Sequence, residues 1–386
     1  METVFGTIIV TGMAGSQGAL AHPRYPFGYT LGLEAESRAR GRVDTRRSEE
    51  YYAPQPPSAG RHAVRNRSKW QSLPTEAINP RSLSMDQAST EEIIDLMLQE
   101  DRKTITAVHR EKARIAQAAE LITQAFRKGG RLVFVGAGTS GRLGVLEAAE
   151  MPPTFGTPER LVQAVMAGGR DAFFKPREGV EDNFEEGARA ITRLRLTGKD
   201  VLIGVSASGM TQFVRGALTR ARRANVKIVF ITCWPGTELQ TFVDVIIAPA
   251  VGPEVIAGST RLKAGSATKM VLNMLTTISM VHIGKTYGNL MVDLQTGSEQ
   301  RRDRARGIIT MVTGLAYDEA GTLLGLARWN VKAALVMEIT GDTYAKALTR
   351  LKRAGDSVRH AIGEDVEPRL RERLTLDGST PPPVAD

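Results

Sequence analysis

A short glycine loop between a strand pattern and a helix pattern constrains this chain more than any other feature. The apolar run Leu132–Val135 is typical of a buried strand, and it leads directly into the loop Gly136–Gly141. Apolar residues then recur at helical spacing from Leu143 to Ala149. The first N–H groups of a helix have no partner within the helix, and the helix dipole is positive at that end. The sequence therefore predicts an anion site, most often a phosphate site, beyond this strand.

The same segment predicts where the helix ends. Pro152 and Pro153 lack the N–H that an α-helix needs, and Pro152 disfavours the α conformation at Met151. We therefore expect the helix to end near Glu150, which places a carboxylate at its C-terminal end.

The six loop residues also fit the G-x-G-x-x-G pattern of dinucleotide-binding domains. That pattern expects an acidic residue about 20 positions further on, where it binds the ribose hydroxyls. Here the second strand pattern, 161–166, runs into Ala167-Gly168-Gly169 without an acid. The hydroxyls of Thr139 and Ser140 favour a small phosphorylated or hydroxylated ligand instead.

Composition narrows the class of protein. With 386 residues and 42% hydrophobic content, the chain can form one large soluble domain or two ordinary ones. No apolar run is long enough to span a bilayer, and residues 1–30 lack the pattern of a secretory signal. The single cysteine, Cys233, cannot form an internal disulfide, so we expect a cytoplasmic protein. The net charge of +9 indicates a solvated basic face or tail rather than a specific nucleic-acid site.

The pattern along the chain predicts four regions. Residues 1–72 mix Gly, Pro, Ser and Arg without a lasting period, so we predict a disordered extension. Residues 73–296 hold N-terminal helices and then strand patterns that alternate with helix patterns, which favours an α/β fold with a doubly wound, five-stranded parallel sheet flanked by helices. Residues 297–364 are predicted as a C-terminal helical region, and residues 365–386 as a flexible tail. The predicted strands lie near 131–135, 161–166, 200–205, 226–231 and 243–248.

A second hydroxyl-rich loop follows the third predicted strand, Val201–Val205. Ligands of an open parallel sheet bind beyond the carboxyl ends of its strands, so this loop is expected to share a site with the first. An ordinary helix cap would explain Thr211 alone. Ser206, Ser208 and Gly209 together, at the equivalent end of a neighbouring strand, favour a phosphate monoester.

Other candidate residues carry weaker signals. Arg261 and Lys263 precede a long apolar helix pattern at 264–283, where they could neutralise a ligand carboxylate, although a surface pair explains them nearly as well. His109 and His282 have no His or acid at metal-ligand spacing, so no metal site is predicted.

The longer motifs resemble a known family. The loops Gly136–Arg142 and Ser206–Thr211 are similar to the paired sugar-binding loops of sugar isomerase (SIS) domains. The stretches LGVLEAAEMPPTFG, REGVEDN, VGPEVIAGSTRLKAG and YGNLMVDL resemble one branch of that superfamily, the N-acetylmuramic acid 6-phosphate etherases. The resemblance covers about Leu73 to Ile362.

This resemblance implies a homodimeric cytoplasmic lyase of peptidoglycan recycling that needs no metal or organic cofactor, and no membrane partner. The family cleaves the lactyl ether of N-acetylmuramic acid 6-phosphate with water, giving N-acetylglucosamine 6-phosphate and D-lactate. By position in the motifs, Glu150 and Glu181 would be the catalytic pair. The expected substrate-binding residues are Gly138, Thr139, Ser140, Ser206, Ser208, Gly209, Thr211, Arg261 and Lys263.

The sequence departs from the family pattern at three places. Met151 replaces a usual Cys, Met210-Thr211-Gln212-Phe213 replaces Arg-Thr-Pro-Tyr or Arg-Thr-Pro-Phe, and Trp234 replaces Asn. These departures leave every candidate carboxylate and loop hydroxyl in place, and they bear on substrate affinity.

The two glutamates can be given different roles from their expected positions. Elimination beside an acidified C–H needs a base for the C2 proton and an acid for the departing oxygen. A helix C-terminus and apolar neighbours favour a protonated Glu150, whereas the start of the next helix favours an ionised Glu181. We therefore expect Glu150 to be the acid and Glu181 the base. Two solvated surface glutamates are the structural alternative.

Two other functions remain open on the same fold. A noncatalytic phosphosugar sensor would need the hydroxyl loops but no acid–base pair, and an aldose–ketose isomerase would use the same binding loops. The presence of both Glu150 and Glu181 favours the enzyme over the sensor.

Overall fold

Five parallel strands form one sheet in the computed structural model, which describes residues 73–376 and the side chains of residues 73–373. The strands are β1 (Leu132–Gly136), β2 (Val162–Met166), β3 (Val201–Val205), β4 (Lys227–Ile231) and β5 (Val245–Ile247). All five predicted strands are confirmed. Their order across the sheet, which the sequence did not reveal, is β2-β1-β3-β4-β5. The connections change direction between β1 and β3, and that switch point is where ligands of such sheets bind.

Helices cover both faces of this sheet because successive strand residues point to opposite sides. Leu132 and Phe134 of β1 are buried in a core that contains residues of α2 and α7, whereas Val133 and Val135 are buried with residues of α5 and α6. The predicted doubly wound sheet is thereby confirmed. The helices are α1 (Thr90–Arg110), α2 (Lys112–Arg127), α3 (Gly138–Phe155), α4 (Asp171–Phe174), α5 (Phe184–Leu194), α6 (Gln212–Arg223) and α7 (Lys263–His282).

Helix α3 is longer than its prolines suggest. It contains Pro152 and Pro153, so the predicted end near Glu150 is wrong. Each proline removes only the bond to the carbonyl four residues earlier, and apolar side chains of this last turn are buried in the main core. The helix ends at Gly156, which has a φ of 60° and donates its N–H to the Pro152 carbonyl. Glu150 therefore lies inside the helix, more than one turn before its end.

The C-terminal part of the described chain is helical and has its own core. Helix α8 is preceded by the short hairpin of β6 (Thr286–Tyr287) and β7 (Leu290–Met291). The helices are α8 (Glu299–Thr313), α9 (Tyr317–Leu326), α10 (Val331–Thr340), α11 (Tyr344–Arg353), α12 (Val358–Ile362) and α13 (Glu367–Leu376). Within residues 73–376, no helix combines the length and apolar character needed to cross a membrane.

Helix α13 lies inside the range 365–386 that we predicted as a flexible tail. For residues 367–376 that prediction is wrong, because Val366 is buried in the C-terminal core and Leu370 packs against the same core. The rest of that tail and the predicted disordered extension, residues 1–72, lie outside the described residues. The domain boundaries that we placed at 296 and 364 remain predictions.

Cys233 follows β4 and is buried in the core between the sheet, α2 and α7. Burial, together with the negative charge of Glu254, raises the pKa of its thiol to about 12. The thiol therefore stays protonated at neutral pH.

Candidate functional site

A cavity of about 380 Å³ opens beyond the carboxyl ends of β1 and β3, at the switch point of the sheet. Both predicted binding loops contribute to its lining, and Glu181 lies at its wall. Of the predicted site residues, the following line the cavity: Gly138, Thr139, Ser140, Glu181, Ser206, Ser208 and Thr211. The structure thus brings together seven predicted site residues from three segments that lie far apart in the chain.

The first loop presents the beginning of α3 to the cavity. Ala137 occupies the position before the helix and has no side chain that could cap it, so the first N–H groups are left for a ligand. The loop is tight, because a Cβ on Gly141 would lie 2.8 Å from the Gly136 carbonyl oxygen. Gly138 has a φ of 53°, which favours glycine. The loop therefore has the N–H groups and the dipole of an anion site.

The second loop is held by its own hydroxyls. Ser206 Oγ and Thr211 Oγ1 lie 2.8 Å apart, and the Gly209 N–H donates to Ser206 Oγ at 3.1 Å. The Met210 N–H lies 3.3 Å from Ser208 Oγ, to which it donates. Gly209 has a φ of 73° and does not line the cavity, so its part is to shape the turn. This network orients the hydroxyls before any ligand binds.

Of the three departures from the family pattern, Met151 is buried in α3 and the other two lie around the second loop. A Cβ on Gly209 would be 3.3 Å from Cε3 of Trp234, so the indole packs closely beside the turn. Gln212 donates its side-chain N–H to the Met210 carbonyl. Trp234, Met210 and Gln212 do not line the cavity, so they support the loop rather than face a ligand.

Glu181 is placed by the packing of α5 against α6. It belongs to a single 3-10 turn, Val180–Asp182, just before α5, and its side chain is exposed. A Cβ on Gly187 would lie 1.9 Å from the Phe213 carbonyl oxygen, and one on Gly216 would lie 1.9 Å from the Phe184 carbonyl oxygen. Only glycine allows this close approach, which fixes the turn that carries Glu181 relative to the second loop.

Arg142 of α3 holds the segment between β2 and Glu181. Its guanidinium donates to the carbonyls of Phe173 and Ala172, both at 2.9 Å. The side chain also lines the cavity. Arg142 therefore ties the first loop's helix to the segment that leads to Glu181.

Glu150 does not line the cavity. It follows Gly138 by twelve residues of α3, which corresponds to about 18 Å along the helix axis. Its side chain is exposed, on nearly the same helix face as Leu143, which does line the cavity. Within one chain, Glu150 and Glu181 are therefore not brought together.

Lys263 is not where we expected it. Its side chain is only 2% exposed, and Nζ lies 2.6 Å from Glu100 Oε2 and 2.7 Å from the Pro253 carbonyl oxygen. A buried ammonium requires such partners, so the expectation of a substrate contact is wrong for this side chain. Arg261 is exposed and lines a separate small cavity beside Glu100, so the structure does not bring it to the main cavity either.

Glu100 completes this buried ion pair. Burial alone would raise its pKa, but hydrogen bonds from Lys103 and Lys263 outweigh it and lower the pKa to about 2. Glu254 caps the start of α7 by accepting the N–H groups of Lys263 and Ala264. The segment between β5 and α7 is thus bound to the start of α7, and through Lys263 to α1.

Sequence reasoning missed several residues of the cavity. Glu76, Glu178, Arg142 and Arg177 line it, as do Thr260 and Thr268. Glu76 precedes the first helix and belongs to no pattern that would have drawn attention to it. Residues 73–373 hold no group of three or more His, Cys, Asp or Glu side chains that could bind a metal ion.

Two family models match parts of this chain. The glucokinase regulatory protein N-terminal SIS domain matches residues 114–222, and the SIS domain matches residues 183–278. Among solved structures, a phosphoheptose isomerase from Francisella tularensis is 20% identical with a TM-score of 0.39, and the match covers 51% of this chain and 98% of that one.

Curated relatives are much more similar. The N-acetylmuramic acid 6-phosphate etherase of Rubrobacter xylanophilus is 47% identical over 296 residues, which is 77% of this chain and 98% of that protein. The protein of the same name from Salinibacter ruber is 48% identical over 296 residues, which is 76% of this chain and 95% of that protein. Similarity of this degree over almost the whole length of the relatives confirms the resemblance drawn from the motifs. This chain belongs to the N-acetylmuramic acid 6-phosphate etherase family.

Proposed function

We propose that this protein is a lyase that cleaves the D-lactyl ether of N-acetylmuramic acid 6-phosphate, giving N-acetylglucosamine 6-phosphate and D-lactate in peptidoglycan amino-sugar recycling. The observation that carries the proposal is the position of Glu181 in the same cavity as two loops suited to a phosphate. The names of the relatives support the substrate. A cytoplasmic location fits the single, buried cysteine.

The second loop supports a phosphate-binding role. Ser208, Thr211 and the N–H groups at the start of α6 can donate to phosphate oxygens, and charge-assisted bonds of this kind are stronger than neutral ones. The start of α3 adds further N–H donors from the other side of the cavity. A sugar phosphate anchored by these groups extends its carbon chain towards the wall that carries Glu181.

The reaction needs two proton transfers. In the open-chain aldehyde, the C2 proton is acidified by the neighbouring carbonyl, and Glu181 removes it as the base. The C2 electrons then form a double bond to C3, the C3–O bond breaks, and lactate leaves with a proton from an acid. Water adds to C3 and a proton returns to C2, which restores the saturated sugar. We assign the base to Glu181 and the acid to Glu150.

Because Glu150 lies about 18 Å along α3 from the first loop, one chain cannot deliver both carboxylates to one sugar. We therefore propose a homodimer in which a second copy supplies Glu150. Two α3 helices packed antiparallel about a two-fold axis would bring the last turns of one against the first turns of the other. Leu146 and Glu150 both lie exposed on the part of α3 that such a contact would cover.

The assignment of Glu150 as the acid no longer rests on a helix end, since α3 continues to Phe155. It rests on the match of the motif and on the proposed contact with the partner, which would bring the Glu150 carboxyl to the partner's cavity.

A regulatory phosphosugar-binding protein is the alternative, because a domain of a regulatory protein also matches this chain. Incubating the purified protein with N-acetylmuramic acid 6-phosphate and measuring D-lactate separates the two. Lactate release at a rate that depends on Glu181 is expected of the etherase. Tight sugar-phosphate binding without lactate would support the regulatory protein, and conversion to a ketose phosphate would support an isomerase.

A further inference from the structure

Glu76 is a carboxylate of the cavity that neither the loops nor the acid–base pair explains. It ends a single 3-10 turn, Pro74–Glu76, which precedes the first long helix and belongs to neither face of the sheet. Its side chain is exposed and lines the cavity together with residues of both binding loops. The question is what a carboxylate from this segment does there.

The segment is fastened to the cavity wall by its backbone. The Gly258 N–H donates to the Thr75 carbonyl oxygen at 3.0 Å, and the Asn79 side chain donates to the Pro253 carbonyl at 3.3 Å. Leu73, just before the turn, and Thr75, in the middle of it, are each 2% exposed. The turn is therefore held independently of the Glu76 side chain, which is left free to serve another purpose.

Gly258 leaves room for the Glu76 carboxylate. A Cβ at Gly258 would lie 2.8 Å from Oε2 and 3.6 Å from Oε1, so both oxygens rest over this glycine. Gly258 also has a φ of 76°, which a side chain would disfavour. Any larger residue at this position would displace the carboxylate from its place in the cavity.

Within residues 73–373, no other group satisfies the Glu76 carboxylate. Its backbone N–H donates to the Leu73 carbonyl, but its side chain takes part in no hydrogen bond or ion pair with these residues, and the same is true of the side chains of Glu178 and Glu181. The two arginines of the cavity are engaged elsewhere, Arg142 with backbone carbonyls and Arg177 with Asp171. Three carboxylates thus face the cavity with their acceptor oxygens available to a ligand.

We propose that Glu76 is a specificity-determining residue that accepts hydrogen bonds from the O–H or N–H groups of the sugar. This inference rests on the proposed function, because it takes the ligand to be an amino-sugar phosphate. A fixed carboxylate attracts hydroxyl and amide donors and repels phosphate and lactyl carboxylate groups. Glu76 therefore orients the sugar so that its anionic groups point away from the Pro74–Glu76 turn, towards the binding loops.

Two variants of Glu76 and one matched control test this role. Glu76→Gln keeps an acceptor oxygen and removes the charge, whereas Glu76→Ala removes both. Glu159→Gln changes an exposed glutamate that does not line the cavity, and it is expected to behave as the unaltered protein. Thermal melting of each variant verifies that the fold is kept, as the backbone tethers predict.

Calorimetric titration with N-acetylglucosamine 6-phosphate and with inorganic phosphate gives the decisive comparison. Glu76→Ala should weaken binding of the sugar phosphate by about 10- to 100-fold, as for loss of a hydrogen bond to a charged group, and Glu76→Gln by less. Binding of inorganic phosphate should stay unchanged or become tighter, because a nearby negative charge is gone. Equal weakening of both ligands would mean that the cavity itself was disturbed and would overturn the proposal.

Turnover distinguishes this inference from the proposed function. With N-acetylmuramic acid 6-phosphate, Glu76→Ala should raise KM by about the same factor as the dissociation constant and leave kcat within roughly threefold. If Glu76→Ala releases lactate with an unchanged KM and binds the sugar phosphate as the unaltered protein does, the role of Glu76 is refuted and the etherase function is still supported. No lactate from the unaltered protein, with sugar binding still weakened in Glu76→Ala, would refute the etherase and leave the role of Glu76 standing.

Discussion

Two inactive variants should restore activity to each other if the catalytic glutamates come from different chains. Glu150→Gln lacks the proposed acid and Glu181→Gln lacks the proposed base, so each alone should lose on the order of 10²- to 10⁴-fold in lactate release. The distance sets the expectation: about 18 Å of helix separates Glu150 from the first loop, too far for both groups to act on one sugar within a chain.

The recovery can be worked out from the symmetry of a dimer. In a dimer of one Glu150→Gln chain and one Glu181→Gln chain, one site receives both intact glutamates and the other receives neither. Isolated mixed dimers should therefore show about half of the unaltered activity. Random mixing produces mixed dimers in about half of the cases, so the mixture should reach about one quarter.

The assay is lactate release by mixed dimers, obtained by co-expression of the two variants with different affinity tags and sequential purification on both. A mixed dimer of an unaltered chain and a doubly substituted chain is the control, because each of its sites then lacks one glutamate and it should be inactive. If both glutamates act within one chain, this control would keep half of the activity and the complementing pair would keep none. That reversed pattern would refute the shared site.

Four further predictions concern the loops, the base, the buried ion pair and the N-terminal region. Ser208→Ala and Thr211→Val should each weaken binding of N-acetylglucosamine 6-phosphate by roughly 1.5–3 kcal/mol, measured by calorimetry. Unchanged affinity in both variants would show that the phosphate binds outside the second loop. Glu181→Gln should abolish exchange of the sugar's C2 proton with solvent deuterium, whereas Glu150→Gln should keep some of this exchange, as followed by mass spectrometry. The opposite result would make Glu150 the base and Glu181 the acid. Because the pKa of Glu100 is lowered to about 2 from 4.5, its stabilising contribution is present above pH 4.5 and is lost as the pH falls towards 2. In denaturant unfolding, the unaltered protein should lose about 3 kcal/mol more stability over that range than Glu100→Gln, and an equal loss in both proteins would contradict this source. A variant that starts at Gln71 should melt cooperatively and keep its activity, and loss of the cooperative transition would show that the removed residues, 1–70, are structural.

The sheet was predictable because each of its strands carries a local apolar signal, and β1 to β4 run into a loop that contains glycine or hydroxyl residues. The loops Gly136–Gly141 and Ser206–Thr211 were found for the same reason, since a strand that runs into a loop and then a helix marks the edge where ligands bind. The order of the strands depends on which strands pair, and no local pattern carries that information.

The remaining differences arise from tertiary contacts. Helix α3 continues through Pro152 and Pro153 because the packing of its last turn in the core outweighs the loss of two backbone hydrogen bonds. From the sequence alone, Lys263 was expected to be accessible to a ligand or at the surface. In the structure it is buried because it pairs with Glu100, which lies 163 positions away in sequence. Glu76 reaches the cavity through backbone bonds to a distant loop, which no periodicity could have indicated.

The buried thiol of Cys233 makes the protein convenient for site-specific labelling. It is the only cysteine of the chain, it is 2% exposed, and a pKa of about 12 leaves on the order of one thiolate in ten thousand at pH 8. Maleimide reagents should therefore not react with Cys233 while the protein is folded. A cysteine introduced at an exposed position outside α3, such as Leu326 on α9, would be the single reactive thiol, so spin labels there could report the distance between two copies without removal of the native residue.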